Sequence, residues 1–201
     1  MNLVLLEASD LVAPDRAVLT GRRLRHVLEV HRAAVGERLR VGLLGGLMGE
    51  GEILRLTPEV LELALDLHTP PPAKAPVILL LALPRPKMLK RILQMVTTLG
   101  VDELVLINSY RVEKSFWLSP WLAPEAIREQ LLLGLEQARD TVLPQVRLAQ
   151  RFKPFVEDEL PGLMAGRQGW VAHPGSSPLS SLTPVGPQLL AIGPEGGFIP
   201  Y

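Results

Sequence analysis

The sequence predicts an α/β protein in two parts: a small N-terminal barrel of short strands, then a domain of alternating strands and helices. Three observations carry that expectation. The segment His68-Thr69-Pro70-Pro71-Pro72-Ala73-Lys74-Ala75-Pro76 breaks the composition sharply, and proline-rich stretches stay extended as semi-rigid spacers. Before it, apolar runs are short and punctuated by glycine or proline turns. After it, continuous apolar runs alternate with segments of helical period, the pattern of a parallel sheet covered by helices.

Taken in order, a first strand opens the chain. One helix follows, with Thr20 as N-cap, Leu24, Val27 and Leu28 at helical spacing and Gly36 as its end. Leu39 to Leu44, Leu47 to Leu54 and Val60 to Leu67 are β-like runs separated by Gly45-Gly46 and Thr57-Pro58. Residues 1–70 are therefore expected to form the barrel, 68–76 the linker, and 76–201 the second domain. There, Val77 to Leu83 reads as a strand buried on both faces. Residues 86–99 place Leu89, Ile92, Leu93, Val96 and Leu99 at i, i+3, i+4 spacing, with Gly100 as the C′ residue. Leu104 to Ile107 is the next strand and Pro124 to Arg139 a long helix. A strand at Val146 to Leu148, a short helix near Phe152 to Leu160, and strands at Trp170 to Ala172 and Leu189 to Ile192 complete the pattern. Gly162 to Gly169 and Gly175 to Pro187 read as loops.

Composition excludes several classes. The 201 residues carry 21 basic and 21 acidic side chains, a formal net charge of zero. Bulk charge therefore does not favour nucleic acid, and any such contact must be local. Cysteine is absent, which removes disulfides, thiolate metal sites and cysteine nucleophiles; no metal site is expected. The N-terminus lacks a basic region before its apolar residues and meets Glu7 and Asp10 early, unlike a secretory signal. The longest apolar run is far short of the ~20 residues that span a bilayer. A soluble cytoplasmic protein without a membrane partner is expected.

The chemistry-bearing residues gather at strand ends. The strand Leu189 to Ile192 runs into Gly193-Pro194-Glu195-Gly196-Gly197-Phe198. Glycines let a ligand approach the backbone, and the carboxyl ends of strands are where open α/β sheets bind ligands. No Gly-Lys-Ser/Thr phosphate loop and no G-x-G-x-x-G accompanies the turn. Upstream, Trp170-Val171-Ala172-His173-Pro174-Gly175 is a second strand ending in a small-residue turn. Two neighbouring strands would set both turns on one edge. Lys87-Met88 with Gln94 and Leu99-Gly100-Val101 form a third piece, and Glu136-Gln137 followed by Pro144 a fourth.

These four pieces, in this order behind a small barrel, resemble the bacterial RsmE-type methyltransferases of the SPOUT superfamily. Ile192 to Phe198 is the most specific part of the likeness. His173-Pro174, Glu136-Gln137 and the His26 to Val41 segment add to it. The resemblance implies a PUA-like RNA-binding barrel and a SPOUT α/β domain tied into a C-terminal trefoil knot around S-adenosylmethionine. It implies methylation of N3 of a uridine in small-subunit ribosomal RNA, with that RNA or the 30S subunit as partner, and a homodimer. His173, Pro174, Ile192, Gly193, Pro194, Glu195, Gly196 and Gly197 become the cofactor-binding candidates.

The chain departs from the family pattern where Gln94 is followed by Met95, where Thr98 replaces an acid, and where Ala138-Arg139-Asp140 stands for Ser/Cys-Gly-Arg. The family's last motif, with the arginine linked to catalysis, is not reached by Tyr201, so the resemblance implies a protein that continues and an incomplete knot as given. No general base stands out, and the catalytic residue is left open. Local basic groups supply the RNA-binding candidates: Arg22, Arg23, Arg25 and His26 on the first helix, Arg85 and Lys87 at the start of the second, and Arg111 and Lys114 after the following strand. Such groups are ordinarily solvated surface charge, but cations at a helix N-terminus oppose the helix dipole, so structure alone does not favour Arg85 and Lys87 there. The alternative is an RNA-binding paralogue without methyltransferase activity, and a weaker one is a metabolic enzyme with another nucleotide ligand.

Overall fold

A computed structural model describes residues 2–172 and 185–199. The chain divides into two compact units, residues 1–73 with 132–143, and residues 74–131 with 144–201. In the first, β1 (Val4–Leu6), β2 (Leu11–Ala13), β3 (Arg16–Leu19), β4 (Arg38–Leu43), β5 (Met48–Leu56) and β6 (Leu61–Thr69) form one sheet. Its order is β1-β4-β5-β6-β3-β2, with β1 parallel to β4 and every other pairing antiparallel. Alternation explains the burial. Val4 and Leu6 join Leu19, Leu24, Val27, Leu39, Val41, Ile53, Leu61 and Leu63 in one apolar cluster, while Leu3 and Leu5 turn to Leu135.

The helix α1 (Gly21–His26) continues as a wider π-helical turn, Val27–His31. It ends at Arg32, whose φ of 52° is left-handed, and not at Gly36. Gly36 instead opens the way into β4, its amide donating to the Ile53 carbonyl at 2.8 Å. Thr20 does occupy the N-cap, though its side chain makes no capping bond. The hairpin β2–β3 was not expected, since strands of three and four residues show no period. Gly49 stands at a bulge between β5 and β6, where an added Cβ would lie 1.8 Å from the Asp66 carbonyl oxygen.

The second unit holds five parallel strands in the order β10-β11-β7-β8-β9. They are β7 (Ala75–Ala82), β8 (Val101–Ile107), β9 (Gln145–Ala149), β10 (Gln168–Ala172) and β11 (Gln188–Ile192). Ile78 to Leu83 and Leu104 to Ile107 are buried without interruption, as a strand covered on both faces requires. The helix α2 (Pro86–Thr98) buries Leu89, Leu93 and Val96, and Gly100 takes φ 70° just beyond it. Phe152 to Met164 is helical in three consecutive pieces, longer than expected, so the expected loop from Gly162 begins only after Met164.

The helix α3 (Pro124–Ala138) belongs to the second unit up to Leu131 and to the first from Leu132. Its end is a Schellman turn: Arg139 takes φ 57°, and the Asp140 amide reaches back to the Leu135 carbonyl at 3.2 Å. That left-handed position favours glycine. Buried Asp140 then accepts the amides of Thr141 at 2.6 Å and Val142 at 3.0 Å through Oδ1.

Candidate functional site

All five strands of the second sheet run parallel, so β11, β7 and β8 deliver their carboxyl ends to one edge. A cavity of about 550 Å³ opens there. Its floor is the exit of β7, Leu81 to Arg85, and its sides are the start of α2, the loop Arg111 to Glu113 and the turn Ile192 to Gly196. The sequence folds this way because Pro84 and Pro86 bracket Arg85, holding it extended as the N-cap of α2. Beyond β11, the Gly197 amide bonds the Pro194 carbonyl at 2.7 Å, closing a tight turn over Glu195 and Gly196. An added Cβ at Gly193 would press on the Phe198 ring at 3.1 Å, and one at Gly196 on Arg111 Cδ at 2.9 Å.

A second cavity, of about 490 Å³, lies beside the first and shares Arg111 with it. It is lined by Ser109, Tyr110, Lys114, Phe152 and Phe198, among others. The Ser109 hydroxyl is buried without a hydrogen-bond partner, while Tyr110 is 85% exposed. The Arg111 guanidinium donates to the Gly196 carbonyl, tying the loop after β8 to the turn after β11. Arg85 pairs with Glu195 at 3.1 Å with both side chains mostly exposed, an interaction of about 0–1 kcal/mol.

The expected site residues are thus distributed unevenly. Ile192, Gly193, Pro194, Glu195 and Gly196 line the first cavity with Arg85 and Arg111; Gly197 and Lys114 line the second. His173 and Pro174 follow β10 and lie outside the described residues. Lys87 is exposed on α2, outside both linings. In the other unit, Arg22 embraces Glu136, at 2.9 and 2.5 Å, and Glu136 is 2% exposed. Arg23 makes a bidentate pair with Asp10, at 2.6 and 2.7 Å, and a bond to the Leu5 carbonyl. Both arginines serve packing, as does Glu136, whose carbonyl also accepts the amides of Asn2 and Leu3. Arg25 is exposed. His26 stacks edge-on against His31 at 5.2 Å, and its pKa is lowered by burial first, then by the N-terminal ammonium, His31 and Arg22, against the raising effect of Glu136.

Sequence reasoning named Arg111, Lys114 and the turn ending at Phe198 but missed the cavity they share with Tyr110 and Phe152, because those two residues are distant in the chain and fall in no motif. Among the described residues, no cluster of His, Asp and Glu fits a metal ion, and no helix is long and apolar enough to cross a membrane.

Comparison with known proteins decides the family. The model of the RNA methyltransferase domain matches residues 71–201. The chain belongs to that family. A curated relative, Ribosomal RNA small subunit methyltransferase E of Treponema pallidum (strain Nichols), is 31% identical over 158 residues. The match covers 77% of this chain, which spans 59% of the relative's length. Two solved structures align over 98% of the chain. One is a Ribosomal RNA small subunit methyltransferase E from Neisseria gonorrhoeae bound to S-adenosyl methionine, with TM-score 0.68, 18% identity and 82% of that chain covered. The other is a putative methyltransferase from Legionella pneumophila in complex with the cofactor, with TM-score 0.70, 18% identity and 81% covered. At that identity the likeness is one of fold. The resemblance drawn from the motifs holds for this RNA methyltransferase family member, and its mixed α/β architecture is that of the family's solved structures.

Proposed function

We propose that this protein transfers the methyl group of S-adenosylmethionine to N3 of a uridine in small-subunit ribosomal RNA. The observation that carries the reading is the cavity at the carboxyl ends of β11 and β7, walled by the Gly193 to Gly196 turn. The residues present fit the cofactor. It carries no phosphate, so its site needs backbone groups for the adenine edge and an apolar wall rather than a lysine cradle. The turn supplies such backbone groups, and Leu81, Leu83, Met88, Ile92 and Phe116 supply the wall. When bound, the cofactor supplies an electrophilic methyl group.

Uridine N3–H is a weak acid, so transfer needs stabilisation of the imide anion that develops on the base. Arg111 is the cation common to both cavities, and its place beside the turn suits that role and a phosphate contact alike. Holding base and methyl in line supplies the remaining rate enhancement. In this reading residues 1–70 are a PUA-like RNA-binding barrel, 76–201 belong to a SPOUT domain, and the protein acts in the cytoplasm. The homodimer forms through α2, where exposed Met88, Met95 and Leu99 line up with half-buried Ile92 at i, i+4, i+7 and i+11. Such a stripe calls for a partner.

Calorimetric titration of S-adenosylmethionine, with transfer of labelled methyl to ribosomal RNA, tests the proposal. Binding and N3-methyluridine are expected; binding to RNA with neither cofactor uptake nor transfer overturns it. One observation favours the second reading, an RNA-binding paralogue. Asp140 is buried as a turn-capping carboxylate, where the family pattern carries its arginine.

A further inference from the structure

The first unit carries arginine-lined clefts outside the groups considered so far. Two adjoining clefts, of about 340 and 300 Å³, share Arg40, Glu50 and Arg139 in their walls; His68 lines one, and His31 and Arg38 the other. The walls thus hold three guanidiniums and one carboxylate, while in the strand ladders Glu52 stands opposite Arg38 and Asp66 opposite Glu50. Glu50 does not neutralise the three guanidiniums evenly. In the β4–β5 ladder it stands directly opposite Arg40, yet its carboxylate bonds Arg38 at 3.1 Å. Neither Arg40 nor Arg139 has an ion-pair partner among the described residues.

Arg139 adds a second line of argument. It occupies the left-handed C′ position of a Schellman turn, where glycine is favoured and a long cationic side chain brings backbone strain. Strain held at one residue points to a role for its side chain. Arg22 and Arg23 are committed to Glu136 and Asp10. The exposed cations of this unit that converge on a concavity are therefore Arg38, Arg40 and Arg139.

We propose that this double cleft binds the phosphodiester backbone of single-stranded RNA, with Arg40 and Arg139 as the principal phosphate contacts. This deepens the RNA methyltransferase reading and rests on it. Guanidiniums match phosphate oxygens two at a time, and phosphate contacts set register without reading sequence. Glu50 engages Arg38 and leaves Arg40 and Arg139 as the cations open to a ligand.

The test is fluorescence titration of a labelled single-stranded oligouridine into the whole protein at several salt concentrations, for wild type, R40Q, R139G and R55Q. Arg55 is exposed in the same unit but lines neither cleft. R40Q and R139G are each expected to weaken binding several-fold and to lower the salt slope by about one, with R55Q near wild type. R139G is expected to melt no lower than wild type, so its lost affinity is not unfolding. Equal weakening by R55Q, or no change in R40Q and R139G while wild type binds, overturns the cleft but leaves the methyltransferase reading standing. Wild type that neither binds nor methylates RNA overturns that reading instead. Loss of inorganic phosphate binding in R40Q and R139G with RNA binding intact makes the cleft a free-anion site and overturns the proposal.

Discussion

Single residues here show how local conformation and charge are traded. Arg139 holds φ 57° at the end of α3, a position a non-glycine residue occupies at a cost of about 1 kcal/mol. R139G is accordingly expected to raise stability by about 0.5–1 kcal/mol, read by denaturant titration as a higher midpoint at unchanged slope. Gly49 is the opposite case. Its Cβ would collide with the backbone of β6, so G49A is expected to lose more than about 2 kcal/mol or fail to accumulate. His26 links this unit to pH. Its pKa is lowered in the folded state by burial and by neighbouring cations. The unfolded chain therefore takes up the proton first as pH falls, and folded stability declines from about pH 6.5 downward. Thermal melting of H26Q should show a shallower loss than wild type between about pH 7 and about pH 5.

At the scale of elements, α2 is the most legible from sequence. Its apolar positions at 89, 93 and 96 are buried because a 3.6-residue period puts them on one face. Leu93 is fully buried, and L93A is expected to cost about 2–5 kcal/mol. The same helix exposes Met95 at 58% and Leu99 at 70%. Charging that stripe with M95E and L99E is expected to halve the mass measured by light scattering without lowering the melting temperature; a dimer that survives would remove α2 as its interface. Lys90 of this helix holds its ammonium 3.9 Å over the Trp121 ring, a cation–π contact no spacing in the chain announces. The strands β7 and β8 were legible for the converse reason, being apolar without alternation. The hairpin β2–β3 was not, since three or four residues carry too little pattern.

For the whole molecule, the division into units is not a division of the sequence into halves. Residues 132–143 belong with residues 1–73, and Leu135 packs on Leu3 and Leu5. Deleting residues 1–70 would strip those partners and leave Glu136 without Arg22. A remainder with a lower, broader melting transition is expected, so that deletion would not report cleanly on RNA binding. By itself the sequence determined the α/β class, the parallel sheet, the strand-end turn and the family, because periodicity and glycine placement act over a few residues. Only the tertiary structure decided which charges remain available to a ligand. Arg22 and Arg23 looked like surface cations in the chain, but long-range pairing with Glu136 and Asp10 commits them to packing. Arg40 and Arg139, some hundred residues apart, meet in one cleft because β-ladder register and the turn after α3 bring them together, and register depends on contacts that no local pattern encodes.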